Sequence, residues 1–301
     1  MVNYEEEIRA LELWQSPVEV KPVANIDFYS NTRQYRVIDG DHRYVVHRCT
    51  ESALHQISHS YQVELFQTAA PLALAPRLVY HHTDVMVIEY QTGVVIQSQP
   101  RSDTRMFEML IDEIKRFHLL MQANFAGVSR LFWVFQICRC YQHQLREANS
   151  RYRSELIELD RVASRLEEFV GKIELVFAHN NLQRARCVAD DDKIYLLDFQ
   201  HAGFNSPLFD LASLATAFDF SEDQETMMMD QYYGEAQNGL HWRSYYAMRC
   251  ALPLLDTLRA MLNETQANAE LANVELDFKA HSDRCLEYFE RNYAEFRNHF
   301  L

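Results

Sequence analysis

Residues Val176 to Phe220 read VFAHNNLQRARCVADDDKIYLLDFQHAGFNSPLFDLASLATAFDF, and this stretch carries the most specific pattern of the chain. Two short apolar segments, VFA and KIYLL, have the composition of strands, and polar residues separate them. The run PLFDLASLATAF that follows is typical of a helix. The stretch therefore predicts an irregular loop between two short strands, with a helix after it.

The sequence before this stretch predicts a small lobe of strands and one main helix. Its candidate strands are NIDFYS, RQYRVID, RYVVHRC, RLVYH and VMVIEY. Gly40 and Asp41 form a favourable hairpin turn between the second and the third of these. Apolar residues spaced by three and four positions predict a helix from Ser52 to about Ala70.

Beyond Gly93 the chain has mainly helical patterns. Helices are predicted near 132–150, near 154–170 and through most of 208–301. The predicted fold class is α+β, with an N-terminal lobe of residues 1–92 and a helical C-terminal lobe of residues 93–301 that contains the polar loop.

The composition argues against several classes of protein. The 301 residues are 48% apolar and 24% charged, as in a folded globular protein, and the formal charge of −14 disfavours nucleic acid or an anionic membrane as a partner. No apolar run approaches the roughly 20 residues of a membrane helix, and the acidic beginning MVNYEEEIRALELW does not resemble a secretory signal. We expect a cytoplasmic protein without nucleic-acid or membrane partners.

The motifs HNNLQRAR, LLDFQHAGFN and FDLASL resemble the catalytic segment of the choline/ethanolamine kinase and aminoglycoside phosphotransferase (APH-like) family, and look most like the bacterial choline kinases. The resemblance implies a protein-kinase-like fold with a small antiparallel-sheet lobe and a mainly helical lobe. It also implies an enzyme that uses ATP and Mg²⁺ to phosphorylate a hydroxyl group of a small cationic acceptor, such as choline or ethanolamine.

The resemblance assigns roles to five positions in this segment. Asp198 matches the metal-binding aspartate, while His179 and Asp210 match residues that support the catalytic loop. Two positions depart from the family pattern. Asn181 stands where the family has its catalytic aspartate, and Arg186 stands where it has a metal-binding asparagine.

These two differences weaken the expected chemistry. The amide of Asn181 can orient a hydroxyl group but cannot accept its proton, and loss of a general base costs about 10²–10⁴ in rate. The guanidinium of Arg186 offers no lone pair and repels a metal ion, although it can bind phosphate oxygens itself. An ion pair between Arg186 and Asp198 would argue against a working metal site.

The nucleotide side of the expected site is also irregular. The segment DFYSNTRQYRV replaces a glycine-rich turn, and no glycine precedes Gly40. Either His47 or Arg48 is the basic residue that would hold the nucleotide phosphates, because strand alternation lets only one of them face the ligand. Glu64 is either the ion-pair partner of that residue or an exposed helix carboxylate.

An aromatic group in the last third of the chain offers a candidate acceptor site. Trp242, Tyr245 and Tyr246 lie where choline kinases place rings that bind a quaternary ammonium group by cation–π attraction. Aromatic residues at helical spacing also form ordinary cores. Both interpretations remain open at this stage.

Two hypotheses about function follow. In the first, the protein is a small-molecule phosphotransferase that is weak or inactive, because Asn181 and Arg186 replace the catalytic aspartate and the metal-binding asparagine. In the second, it is a pseudokinase-like protein that binds a nucleotide, a small molecule or a regulatory partner without transferring phosphate.

Overall fold

The structure, a computed structural model, describes residues 4–23, 33–48, 51–52, 55, 57–96, 104–190, 193–234, 241–266 and 277–301. Its contacts divide the chain into two units. The first contains Met1–Ser129 and Asn181–Ala202, and the second contains Arg130–Asn180 and Gly203–Leu301. This grouping differs from the lobe boundary expected at Gly93, which stays a prediction.

The first unit is built on a five-stranded antiparallel sheet. Its strands are β1 (Glu19–Pro22), β2 (Arg33–Asp39), β3 (His42–Arg48), β4 (Leu78–His82) and β5 (Val85–Glu89). They lie in the order β1-β2-β3-β5-β4. Strands β2 and β3 form a hairpin across Gly40, whose φ of +57° is a left-handed conformation that glycine adopts without strain.

Side-chain alternation explains β2, whereas β1 has no such signal. Tyr35 and Val37 of β2 are buried and Arg36 between them is exposed, as the alternating sequence predicts. In β1 only Val20 is buried, so no apolar pattern marks this edge strand. The segment NIDFYS at residues 25–30, predicted as a strand, lies outside the described residues.

Helix α2 (His59–Ala69) begins later than the sequence predicts. The expectation of a helix from Ser52 was wrong at its start, because Ser52 and Ile57 bond to each other through both backbone pairs, at 3.0 and 2.8 Å. Those donors and acceptors are then unavailable for helical bonds. The apolar spacing could not reveal this local bridge, since Ile57 is buried in either conformation.

Two more helices and a small sheet complete the first unit. The helices are α1 (Tyr4–Arg9) and α3 (Thr104–Asn124). The sheet contains β6 (Val94–Val95), β8 (Cys187–Asp190) and β9 (Lys193–Leu196) in the order β6-β8-β9. It joins the segment that follows Gly93 to β8 and β9. Strand β8 lies within the segment predicted as an irregular loop, so part of that loop is a strand that pairs with a distant part of the chain.

The second unit is helical, with one small sheet. Its helices are α4 (Val134–Glu147), α5 (Glu155–Val170), α6 (Pro207–Phe218), α7 (Glu222–Tyr233), α8 (Trp242–Gln266) and α9 (Phe278–Phe300). Helix α8 packs against α4, α5, α6 and α9 and therefore forms the centre of the unit. Strands β7 (Val176–Ala178) and β10 (Gly203–Asn205) pair in antiparallel fashion.

These elements confirm the predicted α+β class, with an antiparallel sheet in the N-terminal region and helices in most of the C-terminal region. Among the helices that the structure describes, none is long and apolar enough to cross a membrane.

Gly93 is predicted to tolerate no side chain. A Cβ atom at this position would collide with the backbone carbonyl of Ala189 and lie 2.8 Å from Cγ1 of Val188. Because β8 would have to move, Gly93→Ala should lower the free energy of unfolding by about 1–3 kcal/mol in urea denaturation.

A suitable control for this substitution is Gly40→Asn. Gly40 has open space around its Cα, and asparagine tolerates left-handed backbone, so the loss should stay below about 1 kcal/mol. Equal losses in the two variants would contradict the proposed close packing at Gly93.

Candidate active site

The polar loop begins directly after β7, where Asp210 holds its backbone. The carboxylate of Asp210 accepts hydrogen bonds from the backbone N–H groups of His179 and Asn180, at 2.6 and 2.8 Å. Asp210 lies in the first turn of α6 and is completely buried. Asn180 adopts a φ of +63°, a left-handed conformation that these two bonds help to hold.

Two asparagine residues that the sequence analysis does not single out extend this support. The Nδ2 group of Asn180 donates to the carbonyl of Gly203 at 3.1 Å, and Nδ2 of Asn205 donates to Oδ1 of Asn180 at 2.8 Å. Asn180 and Asn205 are both buried. In the sequence Asn180 is adjacent to His179 and Asn205 ends the motif LLDFQHAGFN, but buried amides have no periodic pattern that would mark them.

In the first unit, Arg186 and Asp198 form an ion pair. Nε of Arg186 lies 2.9 Å from Oδ2 of Asp198. Nη1 of Arg186 also donates to the backbone carbonyl of Asn181 at 2.9 Å. Arg186 is only 5% exposed, so this guanidinium links two parts of the loop in a largely desolvated place.

A second side chain donates a hydrogen bond to the Asp198 carboxylate. Nε2 of Gln200 donates to Oδ2 of Asp198 at 3.3 Å, a contact that the sequence analysis does not predict. The backbone of Asp198 has a φ of +67°, which is rare for a residue with a side chain. Strain of this kind persists where surrounding contacts determine the conformation, and it is often found at functional sites.

The arrangement does not fit a divalent metal ion. An Mg²⁺ ion on the Asp198 carboxylate would lie close to the Arg186 guanidinium, and at 4 Å this repulsion is on the order of 8 kcal/mol for an effective dielectric constant of about 20. Among the described residues, no group of three or more His, Cys, Asp or Glu side chains could hold a metal. Nε of Arg186 and Nε2 of Gln200 both bond to Oδ2, one of the two carboxylate oxygens that could bind a metal ion.

Asn181 presents an unused donor in the same loop. Its side chain is 8% exposed, and its Nδ2 group has no hydrogen-bond partner among the described residues. An amide donor thus occupies the position that the resemblance assigns to a proton acceptor. A buried donor of this kind normally finds a partner, so a ligand atom or an ordered water is expected beside it.

The candidate nucleotide residues lie on β3 and α2. His47 is buried, and burial lowers its pKa to about 4. Arg48 instead pairs with Glu7 and Asp84, each at 2.9 Å. Glu64 is exposed and forms no ion pair with His47 or Arg48.

These contacts favour one of the two alternatives for the basic residue. Because Arg48 is held by two carboxylates, His47 is the better candidate for a phosphate contact, although it is neutral at pH 7. The assignment of His47, Arg48 and Glu64 to nucleotide binding stays a prediction. The turn DFYSNT at residues 27–32 lies outside the described residues.

The three candidate acceptor residues form one aromatic group on α8. The ring of Trp242 lies 5.4 Å from that of Tyr245 and 5.5 Å from that of Tyr246, measured between centroids. Tyr245 is fully buried, whereas Trp242 and Tyr246 are half-buried. Tyr245 is therefore a core residue, and only the other two rings have surface available for a ligand.

Tyr246 also borders a cavity of about 360 Å³ in the second unit. Phe296 and Phe300 of α9 line it too, and the Phe300 ring lies 5.3 Å from that of Tyr246. The acceptor role of Trp242, Tyr245 and Tyr246 stays a prediction.

An antiparallel sheet followed by helices, with a polar loop held by an aspartate at the start of a helix, defines a kinase-like phosphotransferase fold. The chain belongs to the phosphotransferase enzyme (APH) family, whose model matches residues 26–248.

The sequence is similar to Ethanolamine kinase 2 of Homo sapiens, with 22% identity over 191 residues that cover 62% of this chain and 48% of that protein. The chain spans about half of the length of the curated relatives it matches.

Two solved structures share the fold over 96% of this chain. One is a choline/ethanolamine kinase family protein from Mesorhizobium loti, with a TM-score of 0.70, 19% identity and 94% of that chain covered. The other is choline kinase LicA from Streptococcus pneumoniae, with a TM-score of 0.71, 16% identity and 98% covered. A further similar structure is LicA in complex with AMP.

Asp210 should be sensitive to an isosteric change. Asp210→Asn presents an NH₂ group to one of the two backbone donors, so a buried hydrogen bond is lost. We expect the free energy of unfolding to fall by about 1–3 kcal/mol, measured by urea denaturation. The exposed Asp223→Asn in the first turn of α7 is the control, and a similar loss in both variants would contradict the supporting role of Asp210.

Protonation of His47 should lower the free energy of unfolding at acid pH. Its pKa is about 4 in the folded protein and 6.5 ordinarily, so the unfolded chain takes up a proton first as the pH falls. The stability that His47 contributes above pH 6.5 is then lost as the pH decreases towards 4, by about 3 kcal/mol.

The measurement compares urea unfolding of the unmodified protein and His47→Gln at pH 7 and at pH 4. The variant should lose less stability over this range, whereas His143→Gln at an exposed site on α4 should behave like the unmodified protein. Parallel pH profiles for all three proteins would show that burial of His47 has no such effect.

Proposed function

We propose that the protein is a small-molecule phosphotransferase of the choline/ethanolamine kinase type, with weak transfer of phosphate from ATP. We expect weak activity because Arg186 pairs with Asp198 at 2.9 Å, and Asp198 is the carboxylate that would hold Mg²⁺. Membership of the phosphotransferase family and the similarity to choline and ethanolamine kinases support the reaction class.

The proposed acceptor is a small cationic alcohol such as choline or ethanolamine. The formal charge of −14 favours a cationic ligand over an anionic one. The half-buried rings of Trp242 and Tyr246 stack at 5.5 Å and offer π-faces for an ammonium group. We propose ATP as the phosphate donor and the cytoplasm as the location.

Three residues have proposed roles in the transfer. Asn181 orients the acceptor hydroxyl through its amide, Arg186 contacts phosphate oxygens, and Asp198 holds Arg186 in place. Because Asn181 has no useful basicity near pH 7, the hydroxyl proton passes to water as the oxygen bonds to phosphorus and ADP leaves. Transfer should then be slower than with a carboxylate by about 10²–10⁴.

A second candidate function is binding without transfer, as in a pseudokinase. Two features of the loop favour this function. Arg186 binds the Asp198 carboxylate, and Asn181 offers an amide instead of a carboxylate. In this case the protein binds a nucleotide or a small molecule and acts through that complex. The two functions differ in turnover, not in fold.

The test restores the family pattern with the double substitution Asn181→Asp and Arg186→Asn. Transfer from ATP to a panel of amino alcohols is measured with Mg²⁺ for the unmodified and the double-substituted protein. We expect kcat/KM to rise by about 10²-fold or more, because the base and a metal ligand return together. Arg184→Asn, in the same short 3₁₀ turn, is the matched control and should leave the rate nearly unchanged.

The outcomes separate the two functions. Slow transfer by the unmodified protein and fast transfer by the double variant support the weak enzyme. No transfer by the unmodified protein, together with tight nucleotide binding in calorimetry, supports binding without transfer. Turnover by the unmodified protein as fast as by the double variant would contradict both.

A further inference from the structure

The loop from Asn181 to Asp198 presents hydrogen-bond donors where its family relatives are expected to present acceptors. At position 181 a carboxylate is replaced by an amide whose Nδ2 group has no partner among the described residues, and this side chain is 8% exposed. At position 186 an amide oxygen is replaced by a guanidinium that is 5% exposed. Donors stabilise anions, whereas the replaced acceptors suit cations.

The Asp198 carboxylate does not restore a site for cations. Its Oδ2 atom already accepts hydrogen bonds from Nε of Arg186 at 2.9 Å and from Nε2 of Gln200 at 3.3 Å. The positive charge of Arg186 therefore balances the negative charge of Asp198 within the loop. A dication would meet that guanidinium, but an oxyanion would not be repelled by an uncompensated carboxylate.

The position of Arg186 is fixed by contacts on two sides. Its Nη1 atom donates to the backbone carbonyl of Asn181 at 2.9 Å, and its own carbonyl accepts a bond from the backbone N–H of Leu197 at 2.9 Å. The guanidinium thus lies beside the residue that carries the unpartnered amide. A buried donor and a buried cation next to each other are a preorganised arrangement for an oxygen anion.

We propose that this loop binds the oxyanion of a phosphoryl group directly, without a divalent metal ion. Nδ2 of Asn181 donates to a phosphate oxygen, and the Arg186–Asp198 pair leaves no uncompensated carboxylate in the loop to repel the anion. The oxyanion belongs to a nucleotide or to free phosphate. This oxyanion-binding proposal rests on the proposed phosphotransferase function only for the choice of ATP as a probe.

Binding is measured by calorimetry in the presence of EDTA, with inorganic phosphate, ATP and adenosine as separate probes. We expect ATP and phosphate to bind and adenosine to bind much more weakly, since it lacks the oxyanion. The Kd for ATP should change by less than about threefold when Mg²⁺ replaces EDTA. If inorganic phosphate binds saturably, free phosphate is a ligand. If ATP binds and inorganic phosphate does not, the ligand is the nucleotide.

Variants at position 181 test the donor. Asn181→Asp places a negative charge beside the oxyanion and should weaken binding in EDTA at least about 10-fold, while Asn181→Leu removes the donor at similar size and should weaken it less. The matched control is Asn124→Asp on α3, an exposed position in the same unit, which adds the same charge and should change the Kd by less than about twofold.

Two results would overturn the proposal. One is binding of ATP by the unmodified protein with Mg²⁺ but not with EDTA, a comparison that needs no variant to fold. The other is unchanged binding of phosphate and ATP in Asn181→Asp. Manganese binding followed by electron paramagnetic resonance adds a direct readout: the unmodified protein should bind no Mn²⁺, and the double variant Asn181→Asp with Arg186→Asn should gain it.

The proposal and the proposed function fail in different ways. Oxyanion binding in EDTA without any phosphate transfer leaves the proposal intact and removes the phosphotransferase function. Phosphate transfer together with nucleotide binding that requires Mg²⁺ supports the phosphotransferase function and contradicts metal-free oxyanion binding.

Discussion

The buried ion pair between Arg186 and Asp198 is the interaction on which the arrangement of the polar loop depends. Arg186 bonds to the Asp198 carboxylate, to the carbonyl of Asn181 and, through its own carbonyl, to Leu197. Removal of one partner from such a pair leaves an uncompensated buried charge, which typically costs about 3–5 kcal/mol. The same contact places a positive charge beside the carboxylate that the family resemblance assigns to a metal ion.

Different residues hold the backbone at the start of the loop and supply its polar side chains. Asp210 holds two consecutive backbone N–H groups and Asn205 holds the side chain of Asn180, so the chain path is maintained by groups that take no part in proton transfer. These contacts hold the residues before Asn181, whereas the chain after Asn181 is held by the contacts of Arg186. A fold of this kind can thus be held by residues other than those that determine the chemistry of its loops.

Patterns of alternation and turn chemistry predicted much of the fold. The hairpin at Gly40 and the strands on either side of it follow from period-two burial and a left-handed glycine. The start of α2 and the edge strand β1 could not be predicted in this way. Helical apolar spacing continues across Ser52 and Ile57, although these residues form a local backbone bridge. Strand β1 buries only Val20, so it has no alternating apolar signal.

The sequence by itself determined which chemical groups the loop contains: an amide at 181, a guanidinium at 186 and a carboxylate at 198. It left open whether Arg186 faces phosphate, solvent or Asp198, because residues 12 positions apart carry no information on distance. The tertiary structure decided this, since pairing of β8 with β9 brings Cys187 opposite Leu196 and places the two charges 2.9 Å apart. Side-chain identity is local, whereas the partner of a buried charge is a property of the folded chain.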